Sequence, residues 1–235
     1  MNILITSGGT TEKIDNVRGI SNSSTGRLGC AIAQAFADVP YTNHIFYVCN
    51  KAAVAPKNYK ASIHFIESVD ELCLTIKNIC TENRIDVIIH AMAVSDYKTT
   101  AVAQPSRVVG DVGMSLIDAI KAANMQGHGK ISSDADSLLL LLEKTPKVIA
   151  MLRGLAPGAV IVGFKLLDNV TRDVLIDTGF RLLNNNSCDF VLANDATQVG
   201  EDAHVGYLID RNRKYEMHNT KAEIAAAIVR AVVKA

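Results

Sequence analysis

Four polar segments each follow a short apolar run: "TSGGTTEKID" (6–15), "AMAVSDY" (91–97), "GFKLLD" (163–168) and "ANDATQ" (193–198). Each offers hydroxyl, amide or charged side chains where an extended element would end. A fifth segment, "GISNSSTGRLG" (19–29), carries five consecutive hydroxyl or amide side chains, Ser21 to Thr25, three glycines and no acid. It stops where an apolar helical pattern begins. A helix starting near Thr25–Gly26 points free backbone N–H groups back into this loop, and its dipole favours an anion there. Ser23, Ser24 and Thr25 add donors, and Gly26 lets a ligand or backbone approach closely. The chemistry implied is anion binding. The competing reading is a plain helix cap beside a glycine turn.

Standard nucleotide motifs are missing. The glycines after the first apolar run do not form GxGxxG, and about fifteen residues separate Gly9 from the first long helix pattern. In "QGHGKIS" (126–132), Asn124 and Ile131 stand where a phosphate-binding P-loop needs glycine and Ser/Thr. The six histidines show no HExxH or paired spacing, His90 ends an apolar run as a core histidine would, and no protein-only metal site is visible. The five cysteines form no CxxC pair and read as reduced thiols of a cytoplasmic protein. Lys+Arg and Asp+Glu balance at 24 each, so no global field attracts nucleic acid or an anionic membrane. "MNILITSGG" lacks a basic signal-peptide region, and the longest aliphatic run, Leu138 to Leu142, is far too short to span a bilayer.

The elements that must hold these segments alternate. Strands are predicted at 2–6, 44–50, 62–67, 85–94, 159–164 and 189–195. Helices are predicted from Leu28, from the capping box Ser68/Glu71, across 171–184, and from Thr220 with Glu223. This order implies an α/β, Rossmann-like, doubly wound and mostly parallel sheet. A turn at Arg211-Asn212-Arg213 between "GYLID" and "KYEMHN" predicts a β-hairpin near the sheet edge. One domain, 1–235, is expected. Residues 97–137 are weakly periodic apart from a short helix near 113–123 and read as a mobile active-site loop.

In order along the chain, "SGGTTEKIDNVRGISNSSTGRLG", "HAMAVSDY", "KISS", "KTPKVI", "GFKLL" and "DFVLANDAT" resemble phosphopantothenate–cysteine ligase, most closely its stand-alone bacterial form. The likeness spans nearly the whole chain except roughly 98–126. Unlike the fused enzyme, no preceding flavin-dependent decarboxylase domain is expected. The resemblance implies an enzyme of coenzyme A biosynthesis acting on phosphopantothenate, L-cysteine and a nucleoside triphosphate. CTP is expected with Mg2+, and neither flavin nor NAD. A homodimer is expected, with Arg18 reaching the neighbouring site. The alternatives are an NAD(P)-binding Rossmann oxidoreductase and a non-catalytic regulatory relative. The first lacks its fingerprint, and its second strand closes in Asn50-Lys51 rather than an acid.

Site roles follow from the same resemblance. Asn22 falls on the asparagine that contacts the pantothenate part and the acyl-nucleotide; otherwise it is a turn asparagine. Gly9, Thr10, Ser23, Ser24 and Gly26 line the substrate with it. Asp96 matches the aspartate binding the pantothenate region and bordering the nucleotide; otherwise it caps a turn. Met92 replaces the usual alanine, beside Ala93, and would alter the pocket wall. Lys130 matches a lysine reaching the triphosphate from a closing loop; otherwise it is a surface lysine. Phe164 and Lys165 fall on a strand end lining the nucleotide, with Phe164 equally suited to the core. Asn194 and Asp195 stand near the nucleotide or cap a turn. Arg181 replaces a phosphate-contacting lysine, and the Asn184–Asn186 run disturbs the alignment after it.

Overall fold

The computed structural model describes residues 1–235 apart from 59, 111–112, 127–128, 133 and 201–202. In chain order its elements are β1 (Asn2–Ser7), β2 (Thr11–Lys13), β3 (Gly19–Ser21), α1 (Arg27–Ala37), β4 (His44–Cys49), β5 (Ala61–Phe65), α2 (Val69–Glu82), β6 (Val87–His90) and β7 (Tyr97–Ala103). A 3-10 turn at Pro105–Arg107 follows, then α3 (Leu116–Ala122), β8 (Leu139–Lys144), α4 (Val148–Leu155), β9 (Val160–Leu167) and α5 (Arg172–Asn185). The chain closes with β10 (Phe190–Val199), β11 (His204–Asp210), β12 (Tyr215–His218) and α6 (Lys221–Lys234).

The main sheet has eight strands in the order β12-β11-β10-β9-β6-β1-β4-β5. From β10 to β5 every pairing is parallel; β11 and β12 run antiparallel. The predicted edge hairpin is therefore present. Asp210 closes its turn by accepting from the Asn212 and Lys214 N–H groups, and Arg213 takes a positive φ of 60°. Alternate strand residues enter two cores. One lies under α1 and α6, the other under α2 and α4. Burial on both faces explains why β1 and β6 read as unbroken apolar runs rather than alternating ones.

Helix starts follow the predicted caps. Ser68 Oγ accepts from Glu71 N–H at 3.2 Å, and the Glu71 carboxylate takes Glu67 N–H at 2.7 Å. Thr220 and Glu223 repeat the pattern at α6. Two stretches depart from expectation. Residues 11–21 fold back as the antiparallel pair β2–β3, and β7 pairs with β8 as a second two-stranded ribbon. The segment 97–137 thus begins with seven residues of strand and contains α3, so it is not one structureless loop. The aliphatic run 138–142 lies largely in β8, whose alternate residues Leu139 and Leu141 pack against Ala101, Ala103 and Ile120.

Candidate functional site

The order β6-β1-β4 places the topological switch between β1 and β6. From β1 the chain winds outward to β4 and β5, then returns through β6 to β9 and β10 on the other side. Ligands of open α/β sheets bind beyond the carboxyl ends of such a strand pair. The segments there are those after Ser7 and after His90.

These segments are stitched together. Gly9 and Ala93 form an isolated parallel bridge, with Ala93 N–H donating to Gly8 C=O at 2.9 Å and Thr10 N–H donating to Ala93 C=O at 3.1 Å. Thr10 Oγ1 accepts from Ser95 N–H at 2.8 Å and donates to Ser95 Oγ at 3.0 Å. Ser95 Oγ in turn donates to Asn22 Oδ1 at 3.3 Å, while Asn22 N–H donates to Thr10 C=O at 3.1 Å. A Cβ on Gly9 would stand 2.0 Å from the Asn22 carbonyl oxygen, so only glycine admits this crossing. Among the described residues the Asn22 amide oxygen is engaged and its NH2 group has no partner, which leaves two donors on a half-buried side chain.

Helix α1 begins beside this cluster. Its N-cap is Gly26 at φ 72°, with no side-chain cap and no acid in the first turn. Gly26 is fixed from below, its carbonyl accepting from Ser7 Oγ at 3.1 Å. Ser23 is exposed and Ser24 half-buried on the approach. Thr25 Oγ1 takes the Arg27 N–H at a long 3.5 Å, and with no acid in the first turn the start of α1 presents the positive end of its dipole.

Asp96 is exposed at the same rim. Lys147 donates to its Oδ1 at 2.5 Å, and Thr145 binds the neighbouring backbone, N–H to Asp96 C=O at 3.0 Å and Oγ1 to Ser95 C=O at 2.5 Å. Lys147 and Thr145 were not singled out in the sequence, although they sit in "KTPKVI"; a lysine immediately before an apolar helix reads as surface. Met92 does not wall the rim, because its side chain is buried in the core beneath α2 and α4. Only its backbone belongs to the segment.

Lys130 is exposed, and its segment is held through its neighbour. Ile131 N–H donates to Asp15 Oδ2 at 3.2 Å, and Ile131 C=O accepts from Arg18 Nη2 at 3.1 Å. Asp15 also receives the Arg18 guanidinium at 2.6 Å and the backbone N–H groups of Val17 and Arg18. These donors, the guanidinium first, hold its carboxyl well below the usual carboxylate range. Arg18 is thus engaged within its own chain. Asp15 is the positioning residue that sequence reading missed. Gly127, His128 and Ser133, which flank Lys130, lie outside the described residues.

The other strand ends are quieter. Phe164 is half-buried against the α1–α6 core, and Lys165 is half-buried opposite Ala193. Asn194 is buried on β10. Asp195 accepts from Thr197 Oγ1 at 2.6 Å, from Val170 N–H at 2.8 Å, and from the Thr197 and Asn169 N–H groups. The Thr197 hydroxyl and these amides lower its carboxyl to about 2. It caps the β9–α5 turn, the second of its two expected roles. Arg181 is exposed on α5 and donates to Thr178 one turn back. It lies nine residues into a helix that runs away from the rim, roughly 13 Å along its axis. The structure does not bring it to the cluster.

His90, beneath the rim, is buried, with Nδ1 2.7 Å from Thr6 Oγ1; burial lowers it to about 4, so it is a neutral core histidine. Among the described residues no three His, Cys, Asp or Glu side chains converge as metal ligands, and no helix is long and apolar enough to cross a membrane.

A model of the DNA/pantothenate metabolism flavoprotein C-terminal domain matches residues 1–108 and 120–235. The chain belongs to this family. The coenzyme A biosynthesis bifunctional protein CoaBC of Methanocaldococcus jannaschii is 30% identical over 99% of the chain and 50% of its own length. The chain therefore spans about half the length of such relatives. A solved DNA/pantothenate metabolism flavoprotein from Streptococcus pneumoniae superposes with a TM-score of 0.87, 33% identity, and coverage of 100% and 99% of the two chains. A Cab2 mutant in complex with phosphopantothenate-cysteine shares the fold at a TM-score of 0.71 and 19% identity, covering 99% of this chain and 85% of its own.

Proposed function

We infer that this domain joins phosphopantothenate to L-cysteine through an acyl-nucleotide intermediate, with CTP as the nucleotide. Family membership sets the reaction class. The observation that carries the site is the cross-segment cluster Thr10–Ser95–Asn22 at the switch point, which leaves the Asn22 NH2 uncommitted.

A carboxylate is a poor acyl donor. Its attack on the α-phosphorus forms a P–O bond and expels pyrophosphate, giving a mixed anhydride. The cysteine amine then attacks the acyl carbon, loses a proton, and the nucleoside monophosphate leaves. Negative charge builds on phosphate and carbonyl oxygens in both steps, so fixed donors and cations lower both barriers. Asn22 NH2 suits the acyl carbonyl. The open start of α1 suits the phosphate of phosphopantothenate. Lys130 and Lys165 suit the triphosphate. Asp96, with Lys147 against it, suits hydroxyl and amide groups of the pantothenate arm.

The donor set fits a magnesium ion carried in by the triphosphate, because Mg2+ retains waters and asks for one or two protein oxygens, which the exposed Asp96 carboxylate offers. When bound, it would neutralise charge on phosphate oxygens. A homodimer belongs to this reading, with Arg18 beside the neighbouring site and its guanidinium exchanging Asp15 for that contact.

The test offers phosphopantothenate and cysteine with each of CTP, ATP, GTP and UTP and follows pyrophosphate. CTP-dependent release, with an acyl-cytidylate trapped when cysteine is omitted, is the expected result. No pyrophosphate with any triphosphate would overturn the proposal.

A further inference from the structure

The strand end beside the cluster carries a side chain that no step above uses. Asn50 follows β4, the neighbour of β1 on the side away from β6. Its Nδ2 donates to Gly9 C=O at 2.7 Å. On the β6 side, Thr10 N–H donates to Ala93 C=O at 3.1 Å. The Gly9–Thr10 peptide is thereby held at both ends, its C=O from one neighbouring strand and its N–H from the other. Gly8 before it takes a φ of 83°, and two glycines in a row leave this peptide free to rotate without such a hold.

Asn50 is not the cap of its own turn. That turn is closed by the backbone, Ala53 N–H donating to Asn50 C=O at 3.2 Å. An asparagine serving it would point Oδ1 at an amide two residues on. Here Oδ1 is buried and has no partner among the described residues. The amide cannot be flipped, because that would set oxygen against the Gly9 oxygen. A buried acceptor without a partner costs stability, and the contact that offsets it is the one Nδ2 makes to Gly9. From there the hold reaches Asn22. Thr10 Oγ1 donates to Ser95 Oγ at 3.0 Å, and Ser95 Oγ donates to Asn22 Oδ1 at 3.3 Å. The same segment secures the start of α1, Val54 N–H donating to Thr25 C=O at 2.9 Å. We propose that Asn50 is a positioning residue for amide formation: its grip on Gly9 fixes Thr10 and Ser95 and so aims the Asn22 NH2 at the acyl carbonyl. This rests on the ligase reading given above.

Single-turnover reaction of the trapped acyl-nucleotide with cysteine, in the full chain, measures the effect. Asn50→Ala should slow this step about tenfold. Pyrophosphate release without cysteine should stay within about twofold of the parent. The melting temperature should stay within about 2 °C, because the unpartnered oxygen leaves with the side chain. Asn50→Asp keeps the shape but has no donor for the Gly9 carbonyl, so it should lose at least as much rate. In an Asn22→Asp background, Asn50→Ala should cost less than about twofold more, since it acts through Asn22. A parental rate in both Asn50 variants, equal slowing of both steps, a melting temperature of Asn50→Ala that falls with its rate, or full additivity with Asn22→Asp would overturn the assignment. A parent chain that releases no pyrophosphate would sink the ligase reading itself, and this inference with it.

Discussion

The two halves of the sheet's carboxyl rim use polar residues in opposite ways. At the ends of β1 and β6, Thr10, Asn22 and Ser95 bond to one another across segments up to 85 residues apart, and the network stops short of the Asn22 NH2. At the ends of β9 and β10, Asp195 spends four hydrogen bonds on its own turn and the adjoining one, while Phe164 packs into the core. The first half is tied together and left with donors to offer. The second commits Asp195 to turns and holds Lys165 half-buried at the strand end. Asn22 is half-buried, so water meets its NH2 group in the free chain, and it is this uncommitted donor that the proposed function assigns to the ligand. The same contrast holds for the two strongly acidified aspartates. Asp195 secures local turns, whereas Asp15 reaches 116 residues along the chain to secure the Lys130 segment.

The sharpest way to break this comparison is Asn22→Asp. The oxygen facing Ser95 is retained, but the NH2 donors are lost and a negative charge faces the developing oxyanion. Amide formation should fall about a hundredfold, with the melting temperature nearly unchanged. Single-turnover formation of phosphopantothenoylcysteine from trapped acyl-nucleotide measures it. An undiminished rate would remove the first half's claim to the chemistry. Lys130→Ala should act on the earlier step, slowing pyrophosphate release in the absence of cysteine by about tenfold or more. Lys165→Ala should cost less if the second half is mainly scaffold. A larger loss at Lys165 would reverse the ranking of the two halves.

Asp15→Asn comes next. It weakens the hold on Arg18 and on Ile131 N–H, so the Lys130 segment should wander. The expected outcome is a KM for the triphosphate raised several-fold with a smaller fall in kcat, and rescue of neither by added salt. Equal loss in kcat and kcat/KM would instead place Asp15 in direct contact with the transition state.

The parallel strands and the edge hairpin could be read from sequence because both-face burial and turn residues leave local marks, as in β1 and at Arg211–Arg213. The caps of α2 and α6 were equally plain. The ribbon β7–β8 was hidden because only alternate residues of β8 are covered, by α3 and β7, while Leu140 and Leu142 stay exposed. The β2–β3 pair was hidden by polarity, its last strand being wholly exposed. At the site, Asn22 and Asp96 stood out through resemblance, and the structure joins them through Ser95 and Thr10. Asp15 was invisible for a physical reason. An aspartate before Asn-Val-Arg looks like a turn residue, and its decisive partner is a backbone amide in a distant segment. Arg181 shows the converse limit, since matching a helical position says nothing about which end of the sheet that turn faces, and here the turn stands apart from the Thr10–Ser95–Asn22 cluster.

Asp195→Asn is the mildest test, and its pH dependence carries the information. If the second half is scaffold, turnover at neutral pH should stay within about twofold, while the melting temperature drops because an amide accepts less strongly than a carboxylate. The folded-state pKa of about 2 lies below the unfolded value near 4. The carboxylate's stabilisation is therefore fully present above about pH 4 and is lost as pH falls through about 2. The gap in melting temperature between parent and variant should be constant from neutral pH down to about 4 and then narrow. His90 and His204, both lowered to about 4 by burial, also destabilise the fold as pH falls from about 6.5. They do so in both proteins and cancel in the difference. A gap that closed already between pH 6.5 and 5 would mean that Asp195 is not the buried, amide-saturated carboxylate the turn requires, and the contrast between the two halves of the rim would fail.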